Sequence, residues 1–111
     1  MTRECLDCGM AVVDAHICPK CDSNLDAQHD GSVRKVDIAH NRETRAEAMR
    51  KLGEEIESAR FRPAQFLRLV VGSGLIRDEA LAELEYYERR RMIKGYRTEG
   101  ANRGAILVRL K

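Results

Sequence analysis

The residues best equipped for chemistry are four cysteines, Cys5-Leu-Asp-Cys8 and Cys18-Pro-Lys-Cys21, two C-x2-C pairs separated by nine residues. Each pair can present two sulfurs from one side of a tight loop, and a tetrahedral zinc ion requires four such ligands at about 2.3 Å. Gly9, directly after the first pair, suits a turn with positive φ, and Pro19 stiffens the second turn. Four thiolates close the coordination sphere, so the ion is expected to be structural rather than catalytic. His16 and His29 are read as solvent-facing imidazoles rather than ligands. A mononuclear iron ion takes the same four sulfurs and is the competing identity of the metal. Paired disulfides are the other use of four cysteines. With no apolar signal segment ahead of them and no membrane-spanning run, the expectation is a cytoplasmic protein whose thiols stay reduced.

This stretch resembles the short zinc ribbon found at the ends of many bacterial and archaeal proteins. Rubredoxin is similar at the knuckles, but its knuckles lie farther apart and enclose an aromatic core, whereas the first aromatic residue here is Phe61. The resemblance implies one structural Zn2+ held by Cys5, Cys8, Cys18 and Cys21 in a ribbon over residues 1–24.

Charge divides the 111 residues unevenly. The net charge is only +2, yet residues 1–31 carry two basic side chains against six acidic ones, a net −4, while the rest carries +6. All of that excess sits in residues 86–111, where eight basic side chains face Glu88 and Glu99. A basic surface of this kind suits a nucleic-acid partner, RNA or DNA, and no membrane. The acidic first segment repels nucleic acid and suits a protein partner docking on the ribbon instead.

A second set of candidate residues lies beyond residue 32. Arg89, Arg90, Arg91, Lys94, Arg97, Arg103 and Arg109 can form a phosphate-binding face, although arginines at a helix C-terminus also complement its dipole. Gly72-Ser73-Gly74 can cradle a phosphate on backbone N–H groups at a helix N-terminus, or simply make a tight strand-to-helix turn. Asp37 and His40 are the weak catalytic candidates, against a capping role for Asp37 and a loop position for His40. Tyr86, Tyr87 and Tyr96 are read mainly as packing residues, with base stacking open to Tyr86 and Tyr96.

The elements that must position these groups follow from periodicity. Residues 25–32 are polar and read as a linker ending near Gly31. Near-alternation over residues 33–38 predicts a strand. Thr44-Arg-Ala-Glu47 matches a capping box, and Met49, Leu52, Ile56 and Ala59 give the following helix one apolar stripe, weakened slightly by Gly53. Past Pro63, residues 66–71 form a more continuously apolar and so more central strand. A second helix runs from about Ile76 to Arg91 with Ile76, Ala80, Leu84 and Tyr87 on one stripe. Strands over residues 94–98 and 105–110 complete the order β-α-β-α-β-β. The expected fold is α/β, an N-terminal zinc ribbon plus a two-layer β-α-β-α-β-β sandwich with a mixed sheet.

On these residues the segment 33–111 resembles the Smr domain, the small MutS-related module of nicking nucleases and RNA-associated proteins. That family opens on L-D-x-H-G, here Val36-Asp37-Ile38-Ala39-His40, and later shows H-G-x-G, here Val71-Gly72-Ser73-Gly74. Its closing glycine-rich turn matches Gly100-Ala-Asn-Arg-Gly104 ahead of Ile106-Leu-Val108. Two departures matter. The first histidine position holds Ala39 with His40 displaced by one residue, and the second holds Val71, which can neither transfer a proton nor bind a metal. The resemblance therefore implies a zinc-binding, nucleic-acid-binding protein without nuclease activity. An Smr-type endonuclease and a zinc-ribbon adaptor for a protein partner are the alternatives.

Overall fold

Six strands and two helices carry the described residues, which in this computed structural model are 2–39, 44–72, 74–99 and 104–111. Strands β1 (Thr2–Glu4) and β2 (Ala11–Val13) pair antiparallel beside the cysteines. Then follow β3 (Val33–Asp37), α1 (Arg45–Ser58), β4 (Phe66–Val70), α2 (Leu75–Arg89), β5 (Gly95–Thr98) and β6 (Ala105–Arg109). The chain is mixed α/β with two sheets. Among the described residues no helix is long and apolar enough to cross a membrane.

Helix α1 begins where the capping signal lies: the Thr44 hydroxyl accepts the Glu47 N–H at 3.2 Å. Its buried stripe is Ala48, Leu52 and Ile56, one residue per turn, continued by Ala59 in a short 3-10 turn. Helix α2 buries Ala80 and Leu84, with Ile76, Leu81 and Tyr87 packed beside them. Gly53 lies where the helices meet, since a Cβ there would stand 3.2 Å from the Tyr87 hydroxyl. The residue that weakens α1 is also the one that admits its neighbour.

The larger sheet has the order β3-β4-β6-β5, with β3 parallel to β4 and β6 antiparallel to both β4 and β5. The steps β3-α1-β4 and β4-α2-β5 are parallel crossovers in the same direction across the sheet. Right-handed crossovers place both helices on one face, and both do contribute to one core with Leu67, Leu69, Ile106 and Val108. The alternate residues Phe66, Arg68, Val70 and Leu107 are half-buried and Arg97 and Arg109 exposed, on the opposite face and outside that core.

Two boundaries differ from the sequence expectation. The second helix ends at Arg89 rather than Arg91, because the chain turns there in a Schellman motif. The Met92 N–H donates to the Tyr87 carbonyl at 2.9 Å and the Arg91 N–H to Glu88 at 3.0 Å, with Arg91 at φ 60°. Residues 25–32 are not a loose linker either. Leu25 is fully buried among the cysteines. The Gln28 side chain bridges β1 by donating to the Glu4 carbonyl at 2.8 Å and accepting the Leu6 N–H at 2.9 Å. Beyond it the Asp30 N–H meets the Pro63 carbonyl, and the Ser32 carbonyl accepts from Gln65 and Phe66. A polar composition hides order here because the side chains themselves satisfy the backbone groups.

Edge strand β3 is held by charge. Arg34 is in register with Leu67 and so faces the helices, where its guanidinium donates to Glu55 of α1 at 2.8 and 3.3 Å, joined by Arg62 at 2.7 Å. The Arg34 hydrogen bond, then Arg62, hold the Glu55 carboxyl below its ordinary value of 4.5 against the opposing effect of burial. A depressed carboxyl contributes stability above its unfolded pKa and loses it as pH falls through the folded value. Glu55→Gln is therefore expected to lower stability at pH 7 by about 1 kcal/mol, and to flatten the loss that wild type suffers below pH 4.5. Urea unfolding at pH 7, 5 and 3 checks it; parallel curves for the two proteins exclude this role for Glu55.

Candidate metal centre

The two C-x2-C loops fold alike. In the first, the Cys5 N–H donates to the Met10 carbonyl at 2.8 Å and the Gly9 N–H to the Cys5 carbonyl at 2.7 Å; in the second, Cys18 donates to Ser23 at 2.9 Å and Asp22 to Cys18 at 2.8 Å. The residue after each second cysteine takes positive φ, Gly9 at 77° and Asp22 at 62°. Glycine enters that region freely and aspartate tolerates it. Each loop thereby points two sulfurs the same way.

The four sulfurs converge. Cys5 and Cys21 lie 3.5 Å apart, Cys8 and Cys18 3.6 Å, and all four lie within 4.8 Å of one another. Sulfurs at about 2.3 Å from a tetrahedral ion stand about 3.8 Å apart, so the cluster fits a metal of zinc's size with small adjustment. No disulfide joins them. Cys5 and Cys18 are buried, Cys8 is half-buried and Cys21 exposed. Their protons are unevenly held. The Met10 backbone pulls the Cys8 thiol down, but burial and the three other sulfurs outweigh it and push it up to about 12. The Ser23 hydroxyl and N–H bring Cys21 down to about 6. Cys21 thus gives up its proton more readily than Cys8, and a cation ligand must give up its proton.

Neither histidine joins the cluster. His16 Nδ1 lies 2.8 Å from Asp26, and His29 is exposed.

Arg3 is the residue that sequence reasoning missed. Its guanidinium donates to the Ala15 carbonyl at 2.8 Å and the Asp26 carboxylate at 2.6 Å within the cysteine unit, and to the Arg60 carbonyl at 2.9 Å beyond it. It also lies over the Phe61 ring at 5.6 Å. The one signal was its setting, one of only two cations in an acidic segment and two residues from Cys5.

The remaining candidates are dispersed. Gly72 and Gly74 adopt φ 66° and 97°, a conformation that by itself calls for glycine. Val71 is 1% exposed in the core, and the Asp37 carboxylate accepts the Ala39 N–H at 3.0 Å, closing the turn after β3. Arg89 pairs with Glu85 at 2.7 Å, and Arg90 donates to the Tyr86 hydroxyl while lying over its ring. Tyr96 packs on the core. The glycine turn and the arginine triplet occupy opposite ends of α2, about 22 Å apart for its 15 residues. His40, Ser73 and Arg103 lie outside the described residues.

Compared with known proteins, the chain matches no family model, no curated protein and no solved structure.

A cluster in which Cys5, Val12, Cys18 and Leu25 are the buried residues is small enough that an ion bound by the four sulfurs would be expected to carry much of its stability. Cys18→Ser, or a strong chelator, is expected to unfold the cysteine unit and leave the α/β core intact. Amide hydrogen exchange checks it: residues 2–28 lose protection and β4 and β6 keep theirs. Protection retained throughout is the result that defeats this.

Proposed function

We propose that the chain is a zinc-binding, nucleic-acid-binding protein of the Smr type that lacks nuclease activity. The observation that carries the metal half is the convergence of four sulfurs within 4.8 Å from two loops of matching geometry. The closed set of four thiolates supports a structural zinc, which would bridge the two loops and supply folding free energy rather than a reactive water.

Support for the nucleic-acid half comes from charge and from one backbone conformation. Arg91 occupies the left-handed position after α2, where glycine costs nothing and a larger side chain costs about 1–2 kcal/mol. A strained arginine kept where glycine fits argues that its side chain has a use. It lines a cleft of about 530 Å³ in which the basic Arg60, Arg91, Lys94 and Lys111 outnumber the acidic Asp26 and Glu57. Phosphate contact from such a surface is sequence-independent and salt-sensitive. Against nuclease chemistry stands Val71, apolar and buried at the place of the second histidine.

Metal analysis is expected to give one zinc per chain, with no iron. Titration of labelled RNA and DNA is expected to show binding whose logarithm falls linearly with log salt. Arg91→Gly should gain about 1 kcal/mol of stability yet weaken binding and reduce the salt slope by about 0.8. No binding to any nucleic acid at low salt ends the proposal, and cutting of plasmid or structured RNA by purified protein ends its non-nuclease part.

One observation favours the adaptor reading as a second role. Leu6, Met10, Val13 and Ile17, four of the eight large apolar side chains exposed among the described residues, belong to the acidic cysteine unit. If that unit docks a protein, Leu6→Ser with Val13→Ser should abolish capture of the partner while leaving zinc content and nucleic-acid titrations unchanged. Undiminished capture by the double variant removes the reading.

A further inference from the structure

The face of the four-stranded sheet turned away from both helices carries a second concavity. It has a volume of about 400 Å³ and is lined by Phe66, Lys94, Gly95, Arg97, Leu107 and Arg109, with Gln65 and Tyr96. Strand register explains its shape. One row across the sheet reads Val33, Phe66, Arg109, Gly95, and the next reads Lys35, Arg68, Leu107, Arg97. Gly95 has no side chain in a row where its neighbours do, which leaves room beyond Arg109 and Phe66 that is bounded at the β5 end by the Glu88 carboxylate, 3.8 Å from where a Gly95 Cβ would stand. The floor is aromatic and aliphatic, and the cations stand around it.

Charge selects the occupant. Lys94, Arg97 and Arg109 line this groove and no acidic residue does. Arg68, next in the row, is neutralised by Glu99 in a two-pronged pair at 2.7 and 3.0 Å and does not line the groove. Lys94 also lines the cleft that holds Arg91 and Lys111, so the two concavities meet at that residue, although Asp26 and Glu57 line the first cleft as well. A polyanion longer than one phosphate is what such a track fits. An aromatic ring beside it selects further. Bases can stack on a side chain only when they are unpaired, because a duplex keeps its base faces inside.

We propose that this helix-free face binds single-stranded nucleic acid, with a base stacked on Phe66 and adjacent phosphates on Lys94, Arg97 and Arg109. This rests on the nucleic-acid reading above and gives it a surface and a strand state. The basic end of α2, through Arg91, continues the path of the backbone. Recognition of this kind is tolerant of sequence, since every base has a face to stack.

The chain contains no tryptophan, so Phe66→Trp installs a single reporter in the zinc-loaded full-length protein. Titration with a 12-nucleotide single strand is expected to quench its fluorescence, whereas the matching duplex leaves it unchanged. By fluorescence anisotropy, Phe66→Leu, which keeps apolar volume and drops the ring, should weaken single-strand binding about tenfold. Arg97→Gln with Arg109→Gln should reduce the salt slope by about 1.4, the share of two phosphate contacts on a single strand. Circular dichroism of each variant verifies that it is folded. If wild type binds single strands but none of these substitutions moves the affinity, slope or fluorescence, the face is wrong and the general nucleic-acid reading survives. Duplex binding as tight as single-strand binding overturns the strand preference. Absence of binding by wild type overturns both readings together.

Discussion

The hand of two crossovers decides what the larger domain can do. Because β3 passes to β4 and β4 to β5 in the same direction, right-handed connections put α1 and α2 on one side of the sheet. Every strand then has one face for packing and one for water. Leu67, Leu69, Ile106 and Val108 fill the first, and Phe66, Arg68, Leu107 and Arg109 alternate onto the second. A sheet with helices on both sides would have required both sets to be apolar. Arg68 and Arg109 on the outward positions of β4 and β6 are consistent with the one-sided arrangement, and the bare face is its direct product.

The N-terminal unit obeys a different constraint, scarcity of core. Two of its four buried residues are the cysteines Cys5 and Cys18, so the candidate metal site and the hydrophobic core are the same object. Arg3 then couples this unit to the larger domain. It gathers carbonyls of Ala15 and Arg60 and the Asp26 carboxylate around one guanidinium whose side chain is only 10% exposed. Burying that cation is tolerable because its donors are met. The first two of these partners to be lost with the metal would be those on the cysteine unit itself, Ala15 and Asp26. Whatever an ion on the four sulfurs stabilised would thereby reach the seam between the two units and the cleft beside it, which Asn24, Asp26 and Ala27 help to line.

How much of this could be read from the sequence depends on the range of the interaction. The thiolate spacing, the Thr44 cap and the stripes Leu52-Ile56 and Ala80-Leu84 are local signals, set within one or two turns of chain, and they lie where the sequence places them. The residues read as a linker carry Leu25 as their one large apolar signal, and much of their order comes instead from side-chain hydrogen bonds to backbone by Gln28, Asp30 and the preceding Asn24. The end of α2 was hidden because arginine occupies a position that usually announces itself as glycine. Phe66 drew no attention as a surface residue, since a strand of nearly continuous apolar residues looks buried on both faces until the strand order is known.

Strand order and helix length together also redistribute the candidate nucleic-acid contacts. Adjacent motifs in sequence, the glycine turn and the arginine triplet, bracket α2 and are held apart by its whole length. The glycines are accounted for by their positive φ, so no bound phosphate is needed to explain them. Two of the three arginines are likewise engaged, Arg89 with Glu85 and Arg90 with Tyr86. Arg91 differs from them in being strained and directed toward a concavity. From Arg91 the cations continue through Lys94 to Arg97 and Arg109, away from the glycine turn and onto the bare sheet. Recognition at that end needs neither the missing histidine nor a phosphate-binding loop. It would need cations beside an aromatic ring, and Lys94, Arg97 and Arg109 line the groove with the half-buried Phe66.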